Sequence, residues 1–241
     1  MGDLDDFVSA IDYLAEFCCL SVDLPGHGRT QIRQNLNYQM PLVAEALIKL
    51  LKELAIADCL LAGYSMGGRL ALYLAVHFPQ YFRGVVLEST SPGLKTQPER
   101  DRRIAEDLQL ARRLETEEFP QFVRQWYANP LFKSFTLHPN YQQAIVKRLN
   151  NDPLRLAKSL RYIGLGIQPS LWNLLPEIRV PILSIVGERD SKFVAINREI
   201  VELCSVANLI VVEDAGHNVH FEQPRKFAQS IAHFQTRLLK R

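Results

Sequence analysis

The sequence has no apolar run long enough to cross a bilayer: its apolar stretches are broken by Gly, Asp or Pro well short of the roughly 20 residues a spanning helix needs. It has only four cysteines, Cys18, Cys19, Cys59 and Cys204. None has C-x-x-C spacing, which argues against a zinc site, and three stand in apolar runs that read as buried strands. It lacks the basic, apolar and small-residue succession of a secretory signal and opens on the acidic Met1-Gly2-Asp3-Leu4-Asp5-Asp6. It also lacks G-x-G-x-x-G and any phosphate-binding Gly-Lys-Ser/Thr string, so no nucleotide cofactor is expected. A net charge of +2 gives no general attraction to nucleic acid. These absences point to a soluble, cytoplasmic protein with no metal, cofactor, nucleic-acid or membrane partner.

What is present is enough apolar residue, 47% of 241, for one sizeable core with room for an insertion. Short apolar runs, Phe17 to Val22, Cys59 to Tyr64, Phe82 to Leu87, Ile182 to Val186 and Leu209 to Val212, have strand length and little alternation, as parallel strands buried on both faces should. Between them, periodicity predicts helices over Tyr38 to Leu54, Met66 to Phe78, Ile196 to Cys204 and Pro224 to Leu238. Alternating strand and helix means α/β class with a mostly parallel, doubly wound sheet. The alternation stops between Ser91 and Leu175, where helices are predicted over Pro98 to Glu115, Glu118 to Tyr127, Asn140 to Asn150 and Pro153 to Gly164. Residues 92–175 therefore read as a helical cap inserted into a core of 1–91 and 176–241. Between Lys95 and Arg161 there are 13 Lys or Arg against 8 Asp or Glu, so a basic insertion lies over a slightly acidic base.

The string Leu60-Leu61-Ala62-Gly63-Tyr64-Ser65-Met66-Gly67-Gly68-Arg69 holds G-x-S-x-G between an apolar strand and a helix, the context of a nucleophile elbow in the α/β-hydrolase fold. Gly63 and Gly67 are expected where a side chain would collide with neighbouring backbone. The helix start aims the Met66 N–H at a developing oxyanion. Ser65 needs a base. Of six histidines, His217 follows the last apolar strand in Ala215-Gly216-His217-Asn218, at the carboxyl edge where open sheets place their sites. His220 is the runner-up. The acid is expected after the penultimate strand, at Asp190, with Glu188 and Asp214 as competitors.

These strings together resemble the menaquinone-pathway lyase family of 2-succinyl-6-hydroxy-2,4-cyclohexadiene-1-carboxylate synthases. The elbow with Arg69 four residues after the serine, Gly187-Glu188-Arg189-Asp190-Ser191-Lys192-Phe193, Ala215-Gly216-His217-Asn218-Val219-His220 and Trp126-Tyr127-Ala128-Asn129-Pro130-Leu131-Phe132 carry the resemblance across nearly the whole chain. It implies removal of a proton α to a carbonyl and loss of pyruvate, without water or cofactor. Ser65, activated by His217, would act as a base toward carbon. It also implies a small polycarboxylate substrate held by Tyr64, Arg69, Arg103, Trp126 and Arg148, although each cap arginine taken singly also fits a solvated surface. In that family the first strands and a His-Gly loop precede the string that Met1 to Phe7 resembles. The expectation is a chain that begins downstream of them, with a third strand missing between Phe17 to Val22 and Cys59 to Tyr64.

Two other readings fit the same residues. A serine esterase or carbon–carbon bond hydrolase would pass through an acyl-enzyme. A non-catalytic protein on this fold would bind small anions without turnover.

Overall fold

The computed structural model describes residues 1–240. Its sheet has four parallel strands in the spatial order of the chain: β1 (Cys59–Tyr64), β2 (Phe82–Glu88), β3 (Ile182–Gly187) and β4 (Ala207–Val212). The helices are α1 (Val8–Ile11), α2 (Met40–Glu53), α3 (Met66–His77), α4 (Gln97–Thr116), α5 (Phe119–Tyr127), α6 (Lys133–Thr136), α7 (Tyr141–Arg148), α8 (Pro153–Ile163), α9 (Ser191–Leu203), α10 (Val219–Glu222) and α11 (Pro224–Leu238). Among the described residues, no helix is long and apolar enough to cross a membrane.

Strands β2 and β3 are apolar on both faces because both faces are covered. Val85, Leu87 and Ile182 pack with Val43, Ile48, Leu72 and Ile200 of α2, α3 and α9. Val86, Leu183 and Ile185 point the other way, onto Phe227, Ile231 and Phe234 of α11. Ile185 is fully buried, so its truncation to alanine costs about 2–5 kcal/mol.

The expected strand over Phe17 to Val22 does not form. Among the described residues the segment pairs with no ladder and β1 bonds only to β2, and Cys18, Cys19, Leu20 and Val22 are exposed. An apolar run becomes a strand only when a neighbour satisfies its backbone, and none lies beside this one. The burial expected for these two cysteines fails for the same reason.

The predicted helix over Ile196 to Cys204 begins five residues earlier, at Ser191. The Asp190 carboxylate accepts the Phe193 N–H at 3.2 Å and so caps a first turn that periodicity alone does not reveal. Between β2 and β3 the chain runs through α4 to α8 with no strand. Thr96 and Glu99 open α4 with a capping box, and Asp152 caps α8. These helices have apolar clusters of their own: Ala111, Leu114, Phe122, Leu156 and Ala157 in one, Val123, Tyr127, Phe132, Phe135 and Ala144 in the other.

Candidate active site

Ser65 stands between β1 and α3 with φ 48° and ψ −104°, a conformation that costs a non-glycine residue about 1–3 kcal/mol. Neighbouring backbone holds it there: the Ser65 N–H donates to the Glu88 carbonyl at 2.8 Å, and the Arg69 N–H donates to the Ser65 carbonyl at 3.0 Å. A Cβ on Gly63 would collide with the Gly67 backbone, as the motif predicts. Gly67 itself is different, since a Cβ there would meet only Leu24 at 3.9 Å. The crowded second glycine is Gly68, where a Cβ would strike the Thr90 side chain. Thr90 lies two residues beyond the end of β2, so the motif could not reveal it. Met66 supplies the first N–H of α3, which has no acceptor within its own helix.

The loop after β4 brings His217 over the serine, with Nε2 3.3 Å from Ser65 Oγ. Its Nδ1 lies 2.6 Å from Asp190 Oδ2. Only a carboxylate oxygen can accept there, so Nδ1 carries the proton and Nε2 faces the hydroxyl. The imidazole and Asp190 are both buried, and the rings of Phe193 at 4.6 Å, Tyr64 at 5.3 Å and Phe132 at 6.0 Å surround the imidazole. Hydroxyl, imidazole and carboxylate thus stand in line, in the arrangement that activates a serine oxygen. The competitors lie elsewhere: Glu188 is exposed, and Asp214 pairs with Arg189 at 2.7 Å on the surface. His220 points into a buried site against Glu88, and His27 sits in the turn after Asp23, its Nδ1 3.2 Å from the Pro25 carbonyl.

The five expected binding residues fall into two groups. Arg69 bonds the Gln168 amide oxygen and approaches the Ile163 carbonyl at 3.5 Å, and among the described residues it has no carboxylate partner. Burial, and next the neighbouring Arg103 guanidinium, lowers its pKa to about 10. Arg103 is paired with Asp107 at 2.8 Å. Asp107 thus offsets the charge of Arg103, while the neighbouring Arg69 guanidinium has no paired carboxylate among the described residues. The second group lies toward the N-terminal segment. Arg148 is buried, ion-paired with Asp6, and donates from Nε to the Tyr127 hydroxyl at 3.1 Å. Burial would lower its pKa, but Tyr127 and Asp6 outweigh that and raise it. Tyr64 lies between the His217 and His220 rings, and burial, then Glu88, pushes its phenol well above the usual range. Trp126 stacks on Phe122 at 6.1 Å and contacts Phe132, which in turn meets His217.

Sequence reasoning missed Gln168, Glu88 and Glu222. Glu88 left one signal, a lone carboxylate closing the buried run Val85-Val86-Leu87. The other two reveal themselves only through distant partners.

Residues 1–224 match the family described as alpha/beta hydrolase fold. A Bacillus subtilis (strain 168) protein named for 2-succinyl-6-hydroxy-2,4-cyclohexadiene-1-carboxylate synthase is 39% identical over 90% of this chain and 80% of its own length. The Escherichia coli O1:K1 / APEC protein of that name is 33% identical over 96% of this chain and 88% of its own. Among solved structures, MenH from S. aureus superposes with a TM-score of 0.94 at 32% identity, covering 98% of this chain and 90% of that one.

Proposed function

The chain belongs to the 2-succinyl-6-hydroxy-2,4-cyclohexadiene-1-carboxylate synthase family of the α/β-hydrolase fold, and from that premise we propose that Ser65, His217 and Asp190 carry its reaction. The enzyme is a carbon–oxygen lyase that converts 2-succinyl-5-enolpyruvyl-6-hydroxy-3-cyclohexene-1-carboxylate to the 2,4-diene with loss of pyruvate. The electron flow follows from the positions of the double bonds. A base takes the ring C2 proton, which is acidic because it is α to the succinyl ketone. The C2 pair forms C2=C3, the former C3=C4 pair becomes C4=C5, and the C5–O bond breaks. The enolpyruvyl oxygen leaves with that pair as the enolate of pyruvate, whose methylene carbon takes up the proton to give pyruvate. No water enters and no electrons are gained or lost overall.

His217 Nε2 takes the Ser65 proton, Ser65 Oγ takes the carbon-bound proton, and Asp190 stabilises the imidazolium that results. The Met66 N–H stabilises negative charge developing on the ketone oxygen. Arg69 and Arg103 hold carboxylates of the substrate, and Arg148 joins them on exchanging Asp6 for a third. Tyr64 and Trp126 wall the pocket, and residues 92–175 act as a cap that excludes water from the reacting carbanion. All four cysteines are unpaired, which fits a reducing cytoplasm.

The observation that carries this reading is the alignment of Ser65 Oγ, His217 and Asp190, at 3.3 and 2.6 Å, in a fold whose Arg69 lacks a carboxylate partner. Supplying the enolpyruvyl substrate and measuring pyruvate tests it. Ser65→Ala is expected to lower kcat by about 100-fold or more. Undiminished pyruvate release from that variant would refute the assignment.

A further inference from the structure

Two buried carboxylates with no part in the proton transfers hold the loop that carries His217. Glu222 of α10 accepts the Gly216 N–H at 2.9 Å through Oε2 and the Asn218 N–H at 3.3 Å through Oε1, so the residues on either side of His217 are tied to one side chain. Glu88, the last residue of β2, holds the same loop from the sheet. It accepts the His220 backbone N–H at 3.0 Å, and the His220 Nδ1–H lies 2.9 and 2.8 Å from its two oxygens. Both side chains are fully enclosed. The imidazole stacks on Phe7 at 4.4 Å and packs against Tyr64 at 4.8 Å. Its Nε2 is buried with no partner, so the ring's polar contacts are all with Glu88.

The carbonyl of this same Glu88 accepts the Ser65 N–H at 2.8 Å. One residue therefore fixes the nucleophile elbow with its backbone and the base's loop with its side chain. Placing a carboxylate in the interior is costly unless its oxygens are bonded, and an apolar pair of equal volume would pack there without that cost. What the polar pair adds is direction, because donors from ring and backbone fix the loop's height above the strand.

We infer that Glu88 and His220 are a positioning pair that sets the distance between Ser65 and His217. The inference rests on the reading of those two residues as the reacting pair. Proton transfer requires hydrogen-bond reach, and a misplacement of about 1 Å can cost about 100-fold in rate.

The test uses the full chain, with pyruvate release and the low-field proton signal of the His217–Asp190 hydrogen bond as readouts. Glu88→Gln turns an amide N–H toward the donors. It is expected to lower kcat by about tenfold or more, to leave KM within about twofold, and to shift or remove the low-field signal. His220→Phe retains a ring without the donor and behaves the same way. His220→Asn retains a donor near Nδ1 and restores most of kcat. If Glu88 and His220 serve stability alone, these variants lower the melting temperature while kcat per folded molecule and the low-field signal stay unchanged, which overturns the inference. Should Glu88→Gln fail to fold, the contrast between His220→Phe and His220→Asn decides the same question. Ser65→Ala separates the two claims: activity surviving there removes the reacting pair itself. An inactive Ser65→Ala beside an unaffected Glu88→Gln removes only the positioning pair.

Discussion

Asp190 uses its two oxygens on two different elements: Oδ2 lies 2.6 Å from His217 Nδ1, and Oδ1 accepts the Phe193 N–H at 3.2 Å. The same carboxylate thus orients the imidazole and caps α9. The cap in turn locks the rotamer that the imidazole needs, because the carboxylate cannot turn without releasing the helix.

These two roles separate by substitution. Asp190→Asn retains an oxygen for the cap but removes the charge that stabilises imidazolium, so kcat should fall by about 100-fold or more with little change in melting temperature. Asp190→Ala should lose as much activity and a further ~1 kcal/mol of stability. Steady-state rates alongside thermal melts of both variants check this. Equal melting temperatures for the two would show that the cap contributes nothing.

Arg69 is expected to act in binding. Its guanidinium has only amide and carbonyl oxygens as partners, and burial together with Arg103 opposes its charge. A substrate carboxylate would relieve both. Arg69→Met should therefore raise KM by about 10- to 100-fold, the worth of one charge-assisted hydrogen bond. The sign for stability is opposite. A base whose folded pKa is lowered favours the unfolded state while protonated, so removing it should leave the melting temperature unchanged or higher. A drop in melting temperature with KM unaffected would make Arg69 a structural residue.

Gly67 and Gly68 make a sharper test of the elbow. Gly68→Ala drives a methyl into Thr90 and should cost about 1–3 kcal/mol. Gly67→Ala meets only Leu24 at 3.9 Å and gains up to ~1 kcal/mol of helix propensity in α3. For a chain of this size that means a fall of several degrees for the first and little change or a rise for the second, read by calorimetry.

The contrast between these glycines shows what was legible in the sequence. Strand β1, the turn at Ser65 and the helix after it were readable because one continuous stretch, Cys59 to His77, encodes them. His217 and Asp190 were readable because each closes a strand, and strand ends in a parallel sheet share one edge. Illegible features depend on partners distant in sequence. Thr90 decides which glycine is crowded, Asp6 neutralises Arg148 across 142 residues, and Glu88 holds His220 across 132. Phe17 to Val22 failed for the same reason, since its own residues suit a strand but, among the described residues, none pairs with it.

His27 gives stability a pH dependence separate from that of catalysis. Burial lowers its pKa to about 3, while its Nδ1 lies 3.2 Å from the Pro25 carbonyl. Between pH ~6.5 and ~3 the unfolded chain holds a proton that the folded chain refuses, so acidification favours unfolding. The loss is at most roughly 1.4 kcal/mol per pH unit across that window, and none is expected from this residue above it. Carboxylates that also titrate below pH 5 add their own slopes, so the difference between two proteins isolates the histidine. His27→Gln, which takes up no proton, should show a flatter dependence between pH 6.5 and 5 in denaturant midpoints. Parallel curves for the two proteins over that range would mean that His27 protonates in the folded state without cost.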